Sequence, residues 1–293
     1  FGWKVLGAVL KQTGRVIDSL TAMQKSVKLA PQDAEAHSNL GVTLQELGRL
    51  DEAEAGYTQA IALKPDYVEA YYNLGITLQE LGRLGEALAS YTQAIALKPD
   101  YAEAHINLGI TLKELGRLHE AETSLTQAIA LKPDYAEAYN NLGVTLQELG
   151  RLDEADASIR QAIAVKPDYA EAHNNLGITL KELGRLHEAE TSLTQAIALK
   201  PDYAEAHCNL GIILYSNGDI DAGIESLAKA NDIDPKSREN ELVLRVLQAR
   251  NAREQTEASV DNIKQSDNNL ELTSNPIYLK RLVESELVVS LYE

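Results

Sequence analysis

The residues in this chain that could do chemistry recur at fixed intervals. There are six histidines: His37, His105, His173 and His207 stand 68, 68 and 34 residues apart, and His119 and His187 are again 68 apart. Imidazoles ligate zinc or move protons, but zinc gathers its donors at about 2 Å, whereas equivalent places in stacked helix pairs lie about 8–10 Å apart per layer. The histidines are therefore expected to be structural. The first four share a column with Tyr71 and Tyr139 and should pack as flat side chains in the core. The other two share a solvated column with Asp51 and Asp153. No metal or cofactor is expected. Cys208, the only cysteine, leaves no intrachain disulfide and fits a reducing, cytoplasmic setting. No nucleophile motif, phosphate loop or carboxylate pair stands apart from the periodic pattern, so the chain is read as a non-enzyme.

A second chemical column is unbroken: Asn39, Asn73, Asn107, Asn141, Asn175 and Asn209. Asparagine is a poor interior helix residue, so its repeated use asks for a reason. A carboxamide carries a donor and an acceptor, and a row of them can hold the peptide groups of an extended ligand whatever its side chains. With layers about 10 Å apart and a strand rising about 3.3 Å per residue, one amide serves about every third ligand residue. The alternative is that these amides bond the neighbouring helix and fix how repeats stack. Around the column stand acids, among them Glu103 and Glu137, an apolar floor including Ile110 and Val144, and two interrupting cations, Lys113 and Lys181. That lining suits a neutral or basic extended segment, or serves as a solvated acidic face.

The elements that position these columns follow from punctuation. Pro31, Pro65, Pro99, Pro133, Pro167, Pro201 and Pro235 are spaced by 34 residues, and two glycine columns, through Gly109 and Gly116, keep the same register. In the unit Asp100 to Pro133, Asp100 and Glu103 have the spacing of a capping box that opens one helix. Apolar residues at helical spacing run to Gly116, which supplies a left-handed helix end. A second helix runs from about Leu118 to Leu131, where Pro133 removes the backbone donor a helix interior needs. Gly109 and Ala121 should let the two helices cross closely. With one Phe, one Trp and 13 Tyr, the core is expected to rest on close helix contact and not on large rings. Units 100–133 and 168–201 differ only at Ile106 and Asn174, which implies duplication of a two-repeat block.

His105, Leu108, Gly109, Leu112, Ala121, Leu125, Ala128 and Pro133 stand where the tetratricopeptide repeat family has its hallmark residues, and the chain resembles that family over residues 1–235. Departures are His or Tyr where Trp is commonest, and Gly223 in place of the second-helix alanine. The resemblance implies an all-α, right-handed α-solenoid of helix-turn-helix repeats, with the first helix of each lining a concave groove that binds a protein or peptide. The repeats are also similar to those of O-linked N-acetylglucosamine transferase, where an asparagine column binds extended polypeptide; that role is carried only to the six asparagines named. Family members that clamp a C-terminal carboxylate use Lys, Arg and a second Asn. Glu and Val or Ile stand in those places here, so that ligand class is not implied.

Charge narrows the partners. With 27 Lys and Arg against 44 Asp and Glu, the formal charge is −17, which disfavours nucleic acid and anionic membrane surfaces. No apolar run approaches the roughly 20 residues of a membrane span. The organisation read from the sequence is a partial repeat at 1–31, six full repeats at 32–65, 66–99, 100–133, 134–167, 168–201 and 202–235, a capping helix at 236–254, a polar linker at 255–275, and at 276–293 an apolar pattern that begins a further, truncated segment. The expected function is a scaffold binding an extended polypeptide. Two alternatives stay open: a substrate-recruiting arm of a larger enzyme whose catalytic domain follows residue 293, and a self-assembly module whose end faces stack.

Overall fold

The structure is a computed structural model that describes residues 2–238 and 240–251. It divides into two compact units, residues 1–234 and 235–293. In the second, residues 240–251 are helical, and the backbone N–H of Asn240 donates to Ser237 Oγ at 3.2 Å. The expected linker at 255–275 and segment at 276–293 lie outside the described residues.

The first unit is all helix. Its elements are α1 (Gly2–Gln12), α2 (Val16–Leu29), α3 (Ala34–Glu46), α4 (Leu50–Leu63), α5 (Val68–Glu80), α6 (Leu84–Leu97), α7 (Ala102–Glu114), α8 (Leu118–Leu131), α9 (Ala136–Glu148), α10 (Leu152–Val165), α11 (Ala170–Glu182), α12 (Leu186–Leu199), α13 (Ala204–Ser216) and α14 (Ile220–Ile233). Each odd helix, termed A, packs on the B helix that follows it, and each B helix packs on the next A. A helices of neighbouring repeats also touch, from α1 against α3 to α11 against α13, with no comparable series between B helices. The stack is tighter on the A side, so the A helices form the inner face of an α-solenoid.

Helix ends explain the register. At Gly116, φ is +72°, and Arg117 N–H donates to Leu112 O at 2.8 Å, closing α7 with a left-handed residue where a side chain would clash. The expected capping box is not made. Tyr101, not Asp100, occupies the cap of α7 and gives no side-chain cap bond. Asp100 stands one residue too early, and backbone bonds from Ala102 to Asp100 O and from Ala104 to Tyr101 O, both 3.1 Å, close the turn. Among the A helices from α3 to α13 a carboxylate cap appears only in α3, where Asp33 replaces the tyrosine and accepts from Ala36 N–H at 3.1 Å. Elsewhere the ring has its own work: Lys98 Nζ lies 4.6 Å over the Tyr101 ring, and equivalent pairs join Lys64 to Tyr67, Lys132 to Tyr135, Lys166 to Tyr169 and Lys200 to Tyr203.

Inside each hairpin one B side chain presses on a side-chain-free spot of the A helix. A Cβ at Gly109 would come within 2.6 Å of Leu125 Cγ, and Leu125, Ala121 and Ala128 have no exposed surface. In two repeats this knob is a ring, contrary to the expectation of a core without them. Tyr57 and Tyr91 are fully buried against Gly41 and Gly75, and their hydroxyls reach Gln45 and Gln79 Oε1 at 3.1 Å. A phenol is admitted because its polar tip finds an acceptor.

Gly143→Leu, which would strike Ile159, or Ala155→Leu should destabilise its repeat by roughly 1–3 kcal/mol, read as a lowered thermal midpoint by circular dichroism. Alkali should act through the tyrosine column. Burial, and after it Tyr72 and nearby carboxylates for Tyr101, or Glu137 and Glu171 for Tyr169, push both phenols from the ordinary 10.0 up to about 12. A folded-state value raised above the unfolded one leaves stability intact below pH 10.0 and removes it as pH climbs towards about 12. Tyrosinate absorbance and helicity followed together should show ionisation and unfolding rising over that window.

Candidate functional site

Residues i, i+4, i+7 and i+11 share a helix face. On α7 these are Glu103, Asn107, Ile110 and Glu114, and on α9 Glu137, Asn141, Val144 and Glu148. The row lies beside the preceding A helix, to which Asn107, Glu114 and Glu148 bond. Ile110 and Val144 are half-buried, and Ile110 packs on the cluster of Ile106, Leu125, Ala128 and Ala138. The six asparagines are all half-buried, and at five of them the backbone carbonyl is taken by a threonine hydroxyl four residues on, as in Thr111 Oγ1 to Asn107 O at 2.8 Å.

The side-chain amides behave in two ways. Asn107 Nδ2 donates to Tyr72 Oη at 3.1 Å, Asn175 Nδ2 to Asn140 Oδ1 at 3.0 Å and Asn209 Nδ2 to Asn174 Oδ1 at 3.0 Å; each acceptor stands 35 residues earlier, on the neighbouring A helix. For Asn141 that place holds Ile106, and Nδ2 donates instead to Glu137 O of its own helix at 2.9 Å. For Asn73 it holds Ser38, with no hydrogen bond between the two, and for Asn39 it holds Lys4, clasped by Asp33 and Glu35 at 2.8 and 2.7 Å. Neither Asn39 nor Asn73 makes a side-chain hydrogen bond among the described residues.

The acids are partly spoken for by the same 35-residue spacing. Gln45 donates to Glu80, Gln79 to Glu114 and Gln147 to Glu182, while Lys11 pairs with Glu46 and Lys113 with Glu148 at 3.7 Å. Lys181 is half-buried, its corresponding neighbour is Ser216, and it has no ion pair among the described residues. In the outer acidic column Glu103 lies 3.6 Å from Lys132 Nζ, whereas Glu69 and Glu137 are exposed and form no ion pair among the described residues.

The four histidines expected in the core are half-buried at the repeat boundary. His105 Nε2 donates to Pro99 O at 3.1 Å, and His37, His173 and His207 do the same to Pro31, Pro167 and Pro201. A carbonyl only accepts, so the proton sits on Nε2, and the ring ties helix A to the turn before it. His119 is exposed beside Glu122. Among the described residues no three His, Cys, Asp or Glu side chains gather to hold a metal, and no helix is long and apolar enough to cross a membrane. On the B side, a cavity of about 620 Å³ opens between α10, α11 and α12, with Arg160, itself ion-paired to Asp156 and Glu188, at its wall.

Sequence reasoning found the asparagine column but not its partners, Tyr72, Asn140 and Asn174, nor the glutamines that steady the acids. Reading columns at a separation of 35 instead of 34 would have exposed both.

The family model described as "Cilia and flagella-associated protein 70 C-terminal domain" matches residues 33–244. No curated protein matches the chain. Among solved structures, a chain of the APC/C hetero-tetramer Cut9-Hcn1 superposes with a TM-score of 0.68 at 20% identity, covering 82% of this chain and 48% of that one, so this chain spans about half its length. A tetratricopeptide repeat protein from Parabacteroides merdae ATCC 43184 gives 0.69 at 16% identity over 84% and 98% of the two chains. YrrB, described as a TPR protein with an unusual peptide-binding site, gives 0.50 at 24% over 64% and 97%. At these identities the likeness is one of fold.

Proposed function

The chain belongs to the Cilia and flagella-associated protein 70 C-terminal domain family of tetratricopeptide repeats, and from that premise we propose that it is a non-catalytic binding module whose inner A-helix face holds an extended, neutral to basic polypeptide. Tetratricopeptide repeats bind proteins or peptides. The observation that carries the reading is the inward row itself: amide, apolar floor and acid recur at one place in successive layers, with Glu69 and Glu137 exposed and unpaired among the described residues. In this reading residues 32–235 supply the groove in six repeats. The site is Asn39, Asn73, Asn107, Asn141, Asn175 and Asn209 with Glu103, Glu137, Ile110, Val144, Lys113 and Lys181. Peptide binding by YrrB, a protein of the same fold, is in keeping with this, as is the likeness of the asparagine column to that of O-linked N-acetylglucosamine transferase.

A second reading, self-association, is favoured by one observation: on α1, Val5, Leu6 and Val9 are 48%, 43% and 50% exposed.

An alternating lysine–serine peptide of about 15 residues, about 50 Å when extended, labelled for fluorescence anisotropy, tests the groove. It should bind, bind more weakly as salt rises from about 0.05 to about 0.5 M, and lose about 0.2–1 kcal/mol for each of Glu103→Gln and Glu137→Gln. Absence of binding, or indifference to salt, sinks the reading. Sedimentation mass should stay constant with concentration when no peptide is present; a rising mass supports self-association instead.

A further inference from the structure

We infer that the asparagine column is divided by its neighbours into two classes: Asn39, Asn73 and Asn141 present their amides to the ligand, while Asn107, Asn175 and Asn209 are held as ties between repeats. The inference rests on the groove reading above and specifies which residues carry it. What assigns each amide is the residue 35 positions earlier. A long polar group there, Tyr72, Asn140 or Asn174, takes the Nδ2 proton at 3.0–3.1 Å. Ile106 offers no acceptor. No hydrogen bond joins Ser38 to Asn73, and Lys4 carries only donors and is clasped by two carboxylates. The bond takes one of the two N–H groups of a tied amide and fixes its orientation, so the amide is less able to turn towards a ligand. Asn39 and Asn73 have no such bond and can turn donor and acceptor to a peptide group, and Asn141, bonded only to Glu137 O of its own helix, has no tie to the neighbouring repeat.

The chain contains its own control. Units 100–133 and 168–201 differ only at Ile106 and Asn174, and both side chains are fully or almost fully buried, at 1% and 0% exposure. Asn174 accepts from Asn209 and donates through Nδ2 to Glu205 Oε1 at 3.0 Å. Glu137 stands in the place of Glu205 one block earlier, and Asn141 in the place of Asn209. Between these twin units a single buried position separates an acid and an amide drawn into the seam from an acid and an amide that are not; at Asn140 the amide Asn175 is drawn in while Glu171 lies by Lys200 instead. The next repeat is read by a ligand through a residue that the ligand never touches.

Reciprocal exchange tests this, because each variant copies a repeat the chain already folds. Ile106→Asn should tie up Asn141 and Glu137 and weaken binding of the lysine–serine peptide roughly threefold to tenfold. Asn174→Ile should release Asn209 and Glu205 and strengthen it by about the same factor. Asn39→Ala with Asn73→Ala and Asn141→Ala should lower affinity at least about tenfold with little change in melting temperature. Asn107→Ala with Asn175→Ala and Asn209→Ala should lower the melting temperature with less than about a twofold change in affinity. If wild type binds but both exchanges leave affinity unchanged, or move it the opposite way, the division is wrong and the groove reading stands. If wild type does not bind, both fall.

Discussion

A single amphipathic hairpin has nowhere to hide its apolar stripe, and in this chain the difficulty is met first by an approach so close that one helix must lack a side chain. Leu125 fills the space a Cβ of Gly109 would need, and the other full repeats place Tyr57, Tyr91, Ile159, Leu193 or Leu227 against a glycine in the same way. Once A and B are that close, the outer sides of the hairpin remain apolar, and only another hairpin covers them. The array is the consequence, and so is the inner face, since A helices touch along the stack while B helices are kept apart.

The repeat length then acts as a ruler for polar groups. Successive helices of one type are offset by 34 residues, but a recurrent set of the polar side chains that meet across a seam is 35 apart, because those rows on neighbouring A helices differ by one position. That offset pairs Gln45 with Glu80, Lys113 with Glu148 and Asn175 with Asn140. Each column is thus read by a different column in the repeat before it. Function and stacking compete for the same amides, and the outcome is settled seam by seam.

The parts legible in the sequence were those a repeat decides by itself. Gly116 and Pro133 mark turns through backbone geometry alone, and Gly109 marks a close approach, so helix order and the recurrence of the asparagine column followed from spacing, while the groove-lining role of its helix was what the family resemblance implied. The parts that failed depend on a neighbour. Asp100 looked like a cap, but the register after Pro99 puts Tyr101 there, held by Lys98 and by Tyr72, whose ring centroid lies 4.9 Å away. His105 looked like a core residue because Tyr139 shares its column, yet its nitrogen seeks the Pro99 carbonyl. Tyr57 and Tyr91 were invisible as core rings because the glutamines that accept their hydroxyls lie 12 residues upstream on the other helix. The two classes of amide could not be read from a column that is uniform.

The twin units have a consequence for how the chain finds its fold. Asn174 points its bonds forward, towards Asn209 and Glu205, so the surface that α11 and α12 offer backward is built from the same residues as that of α7 and α8. If residues 100–167 were looped out during folding, α6 would meet α11 with no contact out of place. Such a shortcut forfeits only the cores of the two omitted repeats, and closing a longer loop adds little further entropic cost. Misassembly of this kind is a recognised hazard of repeat chains. The seams themselves carry no address that would distinguish the shortened thread from the complete one; what favours the complete one is the sum of the hairpins it keeps.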